Sequence, residues 1–192
     1  MTASQQGNPD NAPAVIRGCD GCTLCCKVMN VPAAESPAGQ WCRHCSIAEG
    51  CTIHAQRPDM CRDFFCMYTT NRNLGPEWKP ASCKFVIAHE ANGARLSIYA
   101  DPDQPEAWNR EPFLKTFRAW AEAGVRHGGQ VLIFIGRKVL VVLPDRIVDL
   151  GIVAPDELVL TAMTQTPNGI RLEPFKAHRD DPRARAFLRQ SG

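Results

Sequence analysis

Nine cysteines, crowded between positions 19 and 66, are the residues whose type and spacing most clearly predict chemistry. In the first stretch, two residues separate Cys19 from Cys22 and Cys22 from Cys25, and Cys26 follows directly. The remaining members are Cys42, Cys45, Cys51, Cys61 and Cys66. The two-residue spacing lets two thiolates converge on one ion. Zinc takes four such ligands in a tetrahedron, and an iron–sulfur cluster is held by four thiolates. We therefore predict that all nine cysteines bind metal.

Two pairs within this cluster favour two metal sites, or one polynuclear site, over a single ion. Cys25 and Cys26 are adjacent, so their side chains point about 100° apart on a helix and to opposite faces of a strand. Cys61 and Cys66 lie five residues apart, about 140° around a helix, and a helix is predicted to start at Pro58. Two four-ligand sites would use eight thiols and leave one spare or bridging.

Three further residues could bear on these sites. His44 and His54 could each replace a thiolate, but a surface or hydrogen-bonding role is the favoured interpretation for His54. Cys83, the tenth cysteine, lies outside the spacing pattern and is predicted to be a free or buried thiol.

Several basic side chains stand close to the cysteines and are candidates for screening thiolate charge. Arg57 and Arg62 flank Cys61 and are predicted to contact the metal ligands without binding the metal themselves. Lys27 and Arg43 are placed to do the same, although an ordinary solvated surface position explains them nearly as well.

Other uses of so many thiols fit this sequence less well. The residues between the cysteines are too polar for a shared apolar core of free thiols. A redox dithiol is a second rival, and disulfides in an exported protein are a third. The N-terminal residues show no basic and apolar leader pattern, so we expect a cytoplasmic location, where disulfides are rare.

The remaining sequence predicts a conventional fold around this cluster. Asn92-Gly93 predicts a hairpin turn between two strands, and helical spacing of aromatic residues predicts a helix from Pro112 to Gly124. A second hairpin is predicted around Gly136. The segment after Pro155 fits either a helix or a strand, and a last strand follows it.

By composition the chain divides into four segments. Residues 1–14 are predicted to be a disordered tail, and residues 15–83 a cysteine-rich metal-binding module. Residues 84–178 are predicted to form an α+β region with an antiparallel sheet, and residues 179–192 a charged tail that frays. The predicted fold class is therefore α+β: a metal-stapled module of loops and helices packed on a small antiparallel sheet of four or five strands with one main helix.

Composition also excludes several partners. The net charge is only +2, which gives no field for nucleic acid, and no apolar run is long enough for a membrane span. No set of catalytic residues stands out. Asp101 and Asp103 lie in a proline-rich loop and are predicted to form turns rather than to bind metal.

The cysteine pattern resembles that of the bacterial CxxCxxCC family, also called the YkgJ type, a zinc- or iron-chelating domain. The stretches that carry the resemblance are CDGCTLCC (19–26), WCRHC (41–45), CTIH (51–54) and RPDMCRDFFC (57–66). His54 stands where the family usually has Tyr. The resemblance implies that the protein coordinates zinc or an iron–sulfur centre through its cysteine cluster. Flagellin lysine methylases carry a similar cluster, so an enzymatic role is conceivable.

These observations together predict a metal-binding protein with a structural or accessory role, whose partners are metal ions and another protein. An iron–sulfur redox or modifying enzyme is an alternative, and metal storage or delivery is another.

Overall fold

The computed structural model describes residues 14–90, 95–167 and 169–190. The protein is a mixed α+β structure with one main helix, a five-stranded mixed sheet and two small hairpins. By compactness the chain divides into two units. The first comprises Met1–Ala88 and Tyr99–Trp108, and the second comprises His89–Ile98 and Asn109–Gly192.

The cysteine-rich region, which belongs to the first unit, is built from very short elements. Its helices are α1 (Cys25–Val28), α2 (Asp59–Arg62), α3 (Met67–Thr70) and α4 (Pro80–Cys83). Strands β1 (Cys45–Ser46) and β2 (Gly50–Cys51) form an antiparallel hairpin. Single 3₁₀ turns occur at Pro32–Ala34, His54–Gln56 and Pro76–Trp78. The prediction of a segment rich in loops and helices is confirmed. The helix that starts after Pro58 ends at Arg62, so Cys61 lies on it but Cys66 does not.

The five-stranded sheet has the order β3 (Phe85–Glu90), β4 (Arg95–Ala100), β5 (Gln130–Ile135), β6 (Lys138–Val142) and β7 (Ile147–Ile152). It is mixed, so the prediction of a wholly antiparallel sheet is wrong. The neighbours β4 and β5 are joined through helix α5 (Phe113–Val125), which is the kind of crossover that parallel neighbours require.

Both predicted hairpins have strands where the sequence indicated them. The turn Asn92-Gly93 lies outside the described residues, between β3 and β4. In the second hairpin Ile135 pairs with Lys138, and Gly136 adopts φ +59° in the tight turn between them. Helix α5 follows Pro112 and buries Phe113 and Phe117, as its spacing predicts.

The end of the chain differs from its prediction. The ambiguous segment after Pro155 is a strand, β8 (Glu157–Thr166), which pairs with β9 (Gly169–His178) in a separate hairpin. The charged segment expected to fray contains helix α6 (Pro182–Gln190). The carboxylate of Asp181 accepts a hydrogen bond from the Arg183 amide at 2.8 Å, which caps the helix.

Helix α6 also has an apolar contact that its composition conceals. Ala184 is fully buried against Leu160 of β8 and Ala177 of β9. Burial of this small side chain holds the helix on the hairpin despite its many arginines. In the described residues, no helix is both long and apolar enough to cross a membrane.

Candidate metal centre

The candidate cysteines surround one cavity of about 380 Å³. Eight of the nine line its wall, and they are Cys19, Cys22, Cys25, Cys26, Cys42, Cys51, Cys61 and Cys66. The ninth, Cys45, is hydrogen-bonded through its side chain to Cys26. All ten cysteines of the chain are free thiols. The structure thus brings together residues that are up to 47 positions apart in sequence, counted from Cys19 to Cys66.

A left-handed turn positions the first cysteines. The amide of Cys22 donates to the carbonyl of Cys19 at 3.0 Å, and Asp20 and Gly21 between them have φ values of +47° and +74°. A side chain on Gly21 would place its Cβ 2.7 Å from the carbonyl oxygen of Ala48. Glycine therefore allows both the turn and the close approach of the hairpin loop that contains Ala48. Helix α1 then begins at Cys25.

The second group of cysteines is held against α1 by the backbone. The amide of Cys42 donates to the carbonyl of Cys26 at 2.8 Å, and the amide of Cys45 donates to the carbonyl of Cys42 at 2.9 Å. Cys45 and Cys51 are directly paired residues of the β1–β2 hairpin. These contacts explain how a segment with almost no apolar core places three thiols beside α1.

The cysteines fall into two groups, which meet where the thiols of Cys25 and Cys26 hydrogen-bond. The inner group is defined as Cys19, Cys22, Cys25 and Cys66. These four thiols together line a second, small cavity of about 20 Å³ that Tyr68, Pro80 and Val86 help to close. Three of the four also pack on the hydrophobic cluster of Leu24, Val28 and Val86. Cys19 is the exposed member.

The outer group is defined as Cys26, Cys42, Cys45, Cys51 and Cys61. Burial raises the pKa of Cys61, and the neighbouring thiols Cys26, Cys42 and Cys51 raise it further. Burial also raises the pKa of Cys45 to about 11, with Cys26 the next contributor. The outer thiols are therefore mutual neighbours, and each is partly exposed.

The inner thiols show the same pattern among themselves. Burial raises the pKa of Cys66 to about 11, and charges on Cys22 and Cys19 add to that effect. Burial likewise raises the pKa of Cys19, with Cys22 the next cause. Thiols in such surroundings are protonated near neutral pH, and a bound cation reverses that balance because it stabilises the thiolate.

The wall of the large cavity contains basic side chains but, among its described residues, no carboxylate. Its basic members are Arg17, Arg57, Arg62, His44 and His54. Arg57 lies close enough to Cys61 to oppose the rise of that thiol's pKa. Arg57 also contacts the Nε2 atom of His54, so the hydrogen-bonding role predicted for His54 is confirmed. Arg62 pairs instead with Asp59.

Sequence reasoning missed the role of Arg17. Its guanidinium donates to the carbonyls of Leu74 at 2.9 Å and Asn71 at 2.8 Å, and it lies over the Tyr68 ring at 4.5 Å. Arg17 thereby fixes the chain just before Cys19. The sequence offers no signal for this contact, because the partners are backbone atoms more than 50 residues away.

Lys27 does not screen the thiolates as the sequence suggested. Its ammonium is buried and donates to Asp101 at 2.7 Å and to Asp103 at 2.5 Å. Burial lowers the pKa of Lys27, but these hydrogen bonds outweigh it and raise the pKa overall. Asp101 also accepts the Asp103 amide at 3.0 Å, so its predicted role as a turn former is confirmed. The pair anchors α1, which carries Cys25 and Cys26, to the loop at residues 101–103.

Arg43 forms an exposed pair with Glu35 at 2.7 Å, which agrees with its surface interpretation.

Cys83 lines neither cavity, although the inner thiols Cys66 and Cys22 are near enough to add to the rise of its pKa. Its side chain is fully buried, and its thiol donates to the carbonyl of Phe85 at 3.2 Å and to that of Trp78 at 3.5 Å. Burial raises its pKa to about 12. Its placement matches the prediction of a buried thiol and makes it a natural control for experiments on the other nine.

The thiols surround the cavity without forming a finished coordination sphere. Within the described ranges, no three His, Cys, Asp or Glu side chains stand in a geometry that would already hold one ion. Ion binding therefore requires local movement of side chains, together with loss of the thiol protons.

Comparisons with known proteins add no assignment. No protein-family model matches the chain, and no curated protein or solved structure matches it either. The resemblance to the CxxCxxCC family therefore rests on the motifs alone.

Proposed function

We propose that this protein binds metal through the nine cysteines between positions 19 and 66, as zinc or as an iron–sulfur centre. The observation that carries the proposal is the convergence of eight free thiols on one cavity, with the ninth hydrogen-bonded to them. Soft thiolate donors select zinc, copper(I) or iron–sulfur clusters over magnesium and calcium, which prefer oxygen.

The surroundings of the thiols fit such a group. Eight thiolates and two divalent cations would carry a net charge of about −4, and arginines and histidines line the wall while carboxylates do not. Arg57 beside Cys61 is the clearest case of a cation that favours the thiolate. Bound metal would stabilise the short elements between residues 41 and 66, in which no apolar side chain is buried.

The proposed role is structural or accessory, in the cytoplasm, with the metal holding together a surface that another protein binds. Ten free thiols agree with a reducing compartment. We also propose that the protein belongs to the CxxCxxCC family, as its cysteine motifs indicate.

A second candidate is an iron–sulfur centre with a redox or modifying role. It is favoured by the size of the main cavity, since about 380 Å³ exceeds the space that a single ion needs. Metal storage or delivery is a third candidate, favoured by the partly exposed thiols of the outer group.

The proposal is tested by metal analysis of Cys22→Ser and Cys61→Ser, with Cys83→Ser as the matched control. Both cluster variants should retain less metal per chain than the wild type, because each lacks a ligand. Cys83→Ser should retain the wild-type amount, because its thiol faces backbone carbonyls and not the cavity. Unchanged metal content in both cluster variants would show the site assignment to be wrong.

A further inference from the structure

The two cysteine groups differ in their surroundings, and this difference bears on what each does. Three inner thiols pack on the buried cluster of Leu24, Val28 and Val86, beside strand β3. The inner four also line a small cavity of about 20 Å³, which is room for a single ion and not for a larger cluster.

The outer thiols lie on short elements with few buried apolar contacts. They stand on α1, on the two-residue strands β1 and β2, on the one-turn helix α2 and on the chain just before β1. None of the five belongs to the cluster on which the inner thiols pack. A segment with few buried apolar contacts opens locally at a lower free-energy cost than the core does.

The number of ligands differs as well. The inner group supplies four thiols, the number that a closed tetrahedral site uses. The outer group supplies five, one more than a tetrahedral ion takes. His44 also lines the cavity, and its imidazole, whose Nε2 accepts a hydrogen bond from Arg43, is a sixth potential donor nearby. A surplus donor lets one ligand replace another without leaving the ion bare, which lowers the barrier to exchange.

We propose that the inner group holds a structural metal ion, which stabilises the core, and that the outer group holds a separate, exchangeable one. This inference rests on the proposed metal-binding function and assigns each cysteine to one of the two sites. It gives the outer site the chemistry of metal transfer: an incoming thiolate or imidazole ligand replaces a cysteine thiolate on the ion, and the displaced thiolate takes up a proton.

Cys25 and Cys26 provide a matched pair of variants, because they are adjacent on α1 and belong to different groups. The protein is stripped of metal under reducing conditions, and Zn²⁺ alone is added back as the probe. We expect Cys25→Ser to bind about one ion instead of two, because only three inner thiols remain. Cys26→Ser should still bind two ions, because four outer thiols remain. Cys25→Ser should also lose much more thermal stability than Cys26→Ser, because only the inner site supports the core.

Release kinetics on the wild-type protein provide a measurement that does not depend on variants folding. A colorimetric zinc chelator in excess should remove the two ions in two phases, the first at least about tenfold faster than the second. The far-ultraviolet circular dichroism should stay constant through the fast phase and change with the slow one. In Cys26→Ser, the fast phase should become slower, because a surplus donor is lost, and the slow phase should be unchanged.

Three results would overturn the inference while leaving metal binding intact. The first is loss of all metal in either variant, as a single polynuclear centre predicts. The second is an equal loss of thermal stability in the two variants. The third is release of both ions in one phase, at the same time as the change in circular dichroism. A wild-type protein that binds no zinc and contains no iron would instead refute the proposed function itself.

Discussion

At the level of single residues, Lys27 is the most informative, because the sequence predicted a different role for its charge. Lys27 directly follows Cys25 and Cys26 on α1, and this position predicted a role in screening thiolates, yet its buried ammonium is held by Asp101 and Asp103. Sequence reasoning could not find this pair, because 74 residues separate Lys27 from Asp101. Arg57, by contrast, was predicted from its position near Cys61 and does stand beside it, because the two are only four positions apart in sequence.

Lys27→Met should destabilise the protein by about 3–5 kcal/mol, since it leaves the buried carboxylate of Asp101 without its partner. Arg43→Met is the matched control, because its pair with Glu35 is exposed, and it should cost at most about 1 kcal/mol. Chemical denaturation of the metal-loaded proteins measures both. Equal stability of the two variants would mean that the Lys27 pair does not anchor α1.

Cys83 gives a pH-dependent prediction. Burial raises its pKa from 9.0 to about 12. Below pH 9 the thiol is protonated in both folded and unfolded chains, and its contribution to stability is fully present. Between pH 9 and 12 only the unfolded chain loses the proton, so stability is lost as pH rises. The free energy of unfolding of the wild type, relative to Cys83→Ala, should fall by at most about 1.4 kcal/mol per pH unit in that window. A difference that stays constant from pH 8 to 11 would contradict the assignment.

At the scale of elements, local signals were reliable where the responsible contacts are near in sequence. The spacing of Phe113 and Phe117 predicted α5, and the pairing across Gly136 predicted the β5–β6 hairpin. Helix α6 was missed because its composition is dominated by arginine, while the contact that holds it is made by the small side chain of Ala184. The mixed sheet was missed because the order of strands depends on contacts distant in sequence.

The turn between Cys19 and Cys22 gives a test of how tightly the cysteine elements are packed. Gly21→Ala should be more destabilising than Gly128→Ala, although both residues have similar positive φ values of +74° and +70°. Each substitution costs about 1–2 kcal/mol from its left-handed backbone. Only at Gly21 does the new Cβ meet a backbone carbonyl, at 2.7 Å, and such overpacking adds about 1–3 kcal/mol.

Thermal denaturation of the two glycine variants measures this difference. Gly21→Ala should also lower the affinity for metal, since the turn places Cys19 and Cys22 together, whereas Gly128→Ala should leave it unchanged. Equal changes in thermal stability and metal affinity at the two positions would show that the close approach of Ala48 to the turn does not position Cys19 and Cys22.

At the scale of the whole molecule, the cysteine spacing predicted a shared site, and the structure gathers eight of those thiols around one cavity. For the pairs Cys25–Cys26 and Cys61–Cys66, the sequence predicted either two sites or one polynuclear site, and this choice stays a prediction. In each pair one member lines the small inner cavity and the other does not. The spacing could not show which distant cysteines join each group, because the backbone bonds between residues 26 and 42 and the β1–β2 pairing decide it.

Binding of metal by these thiols is tested most directly on protein purified without oxygen. Its metal content, its acid-labile sulfide content and its visible spectrum are measured. We expect bound metal: either a colourless protein with about two zinc ions per chain, or a brown protein with iron and matching sulfide. A protein with neither metal, in which the nine cluster thiols titrate as free, would contradict this expectation.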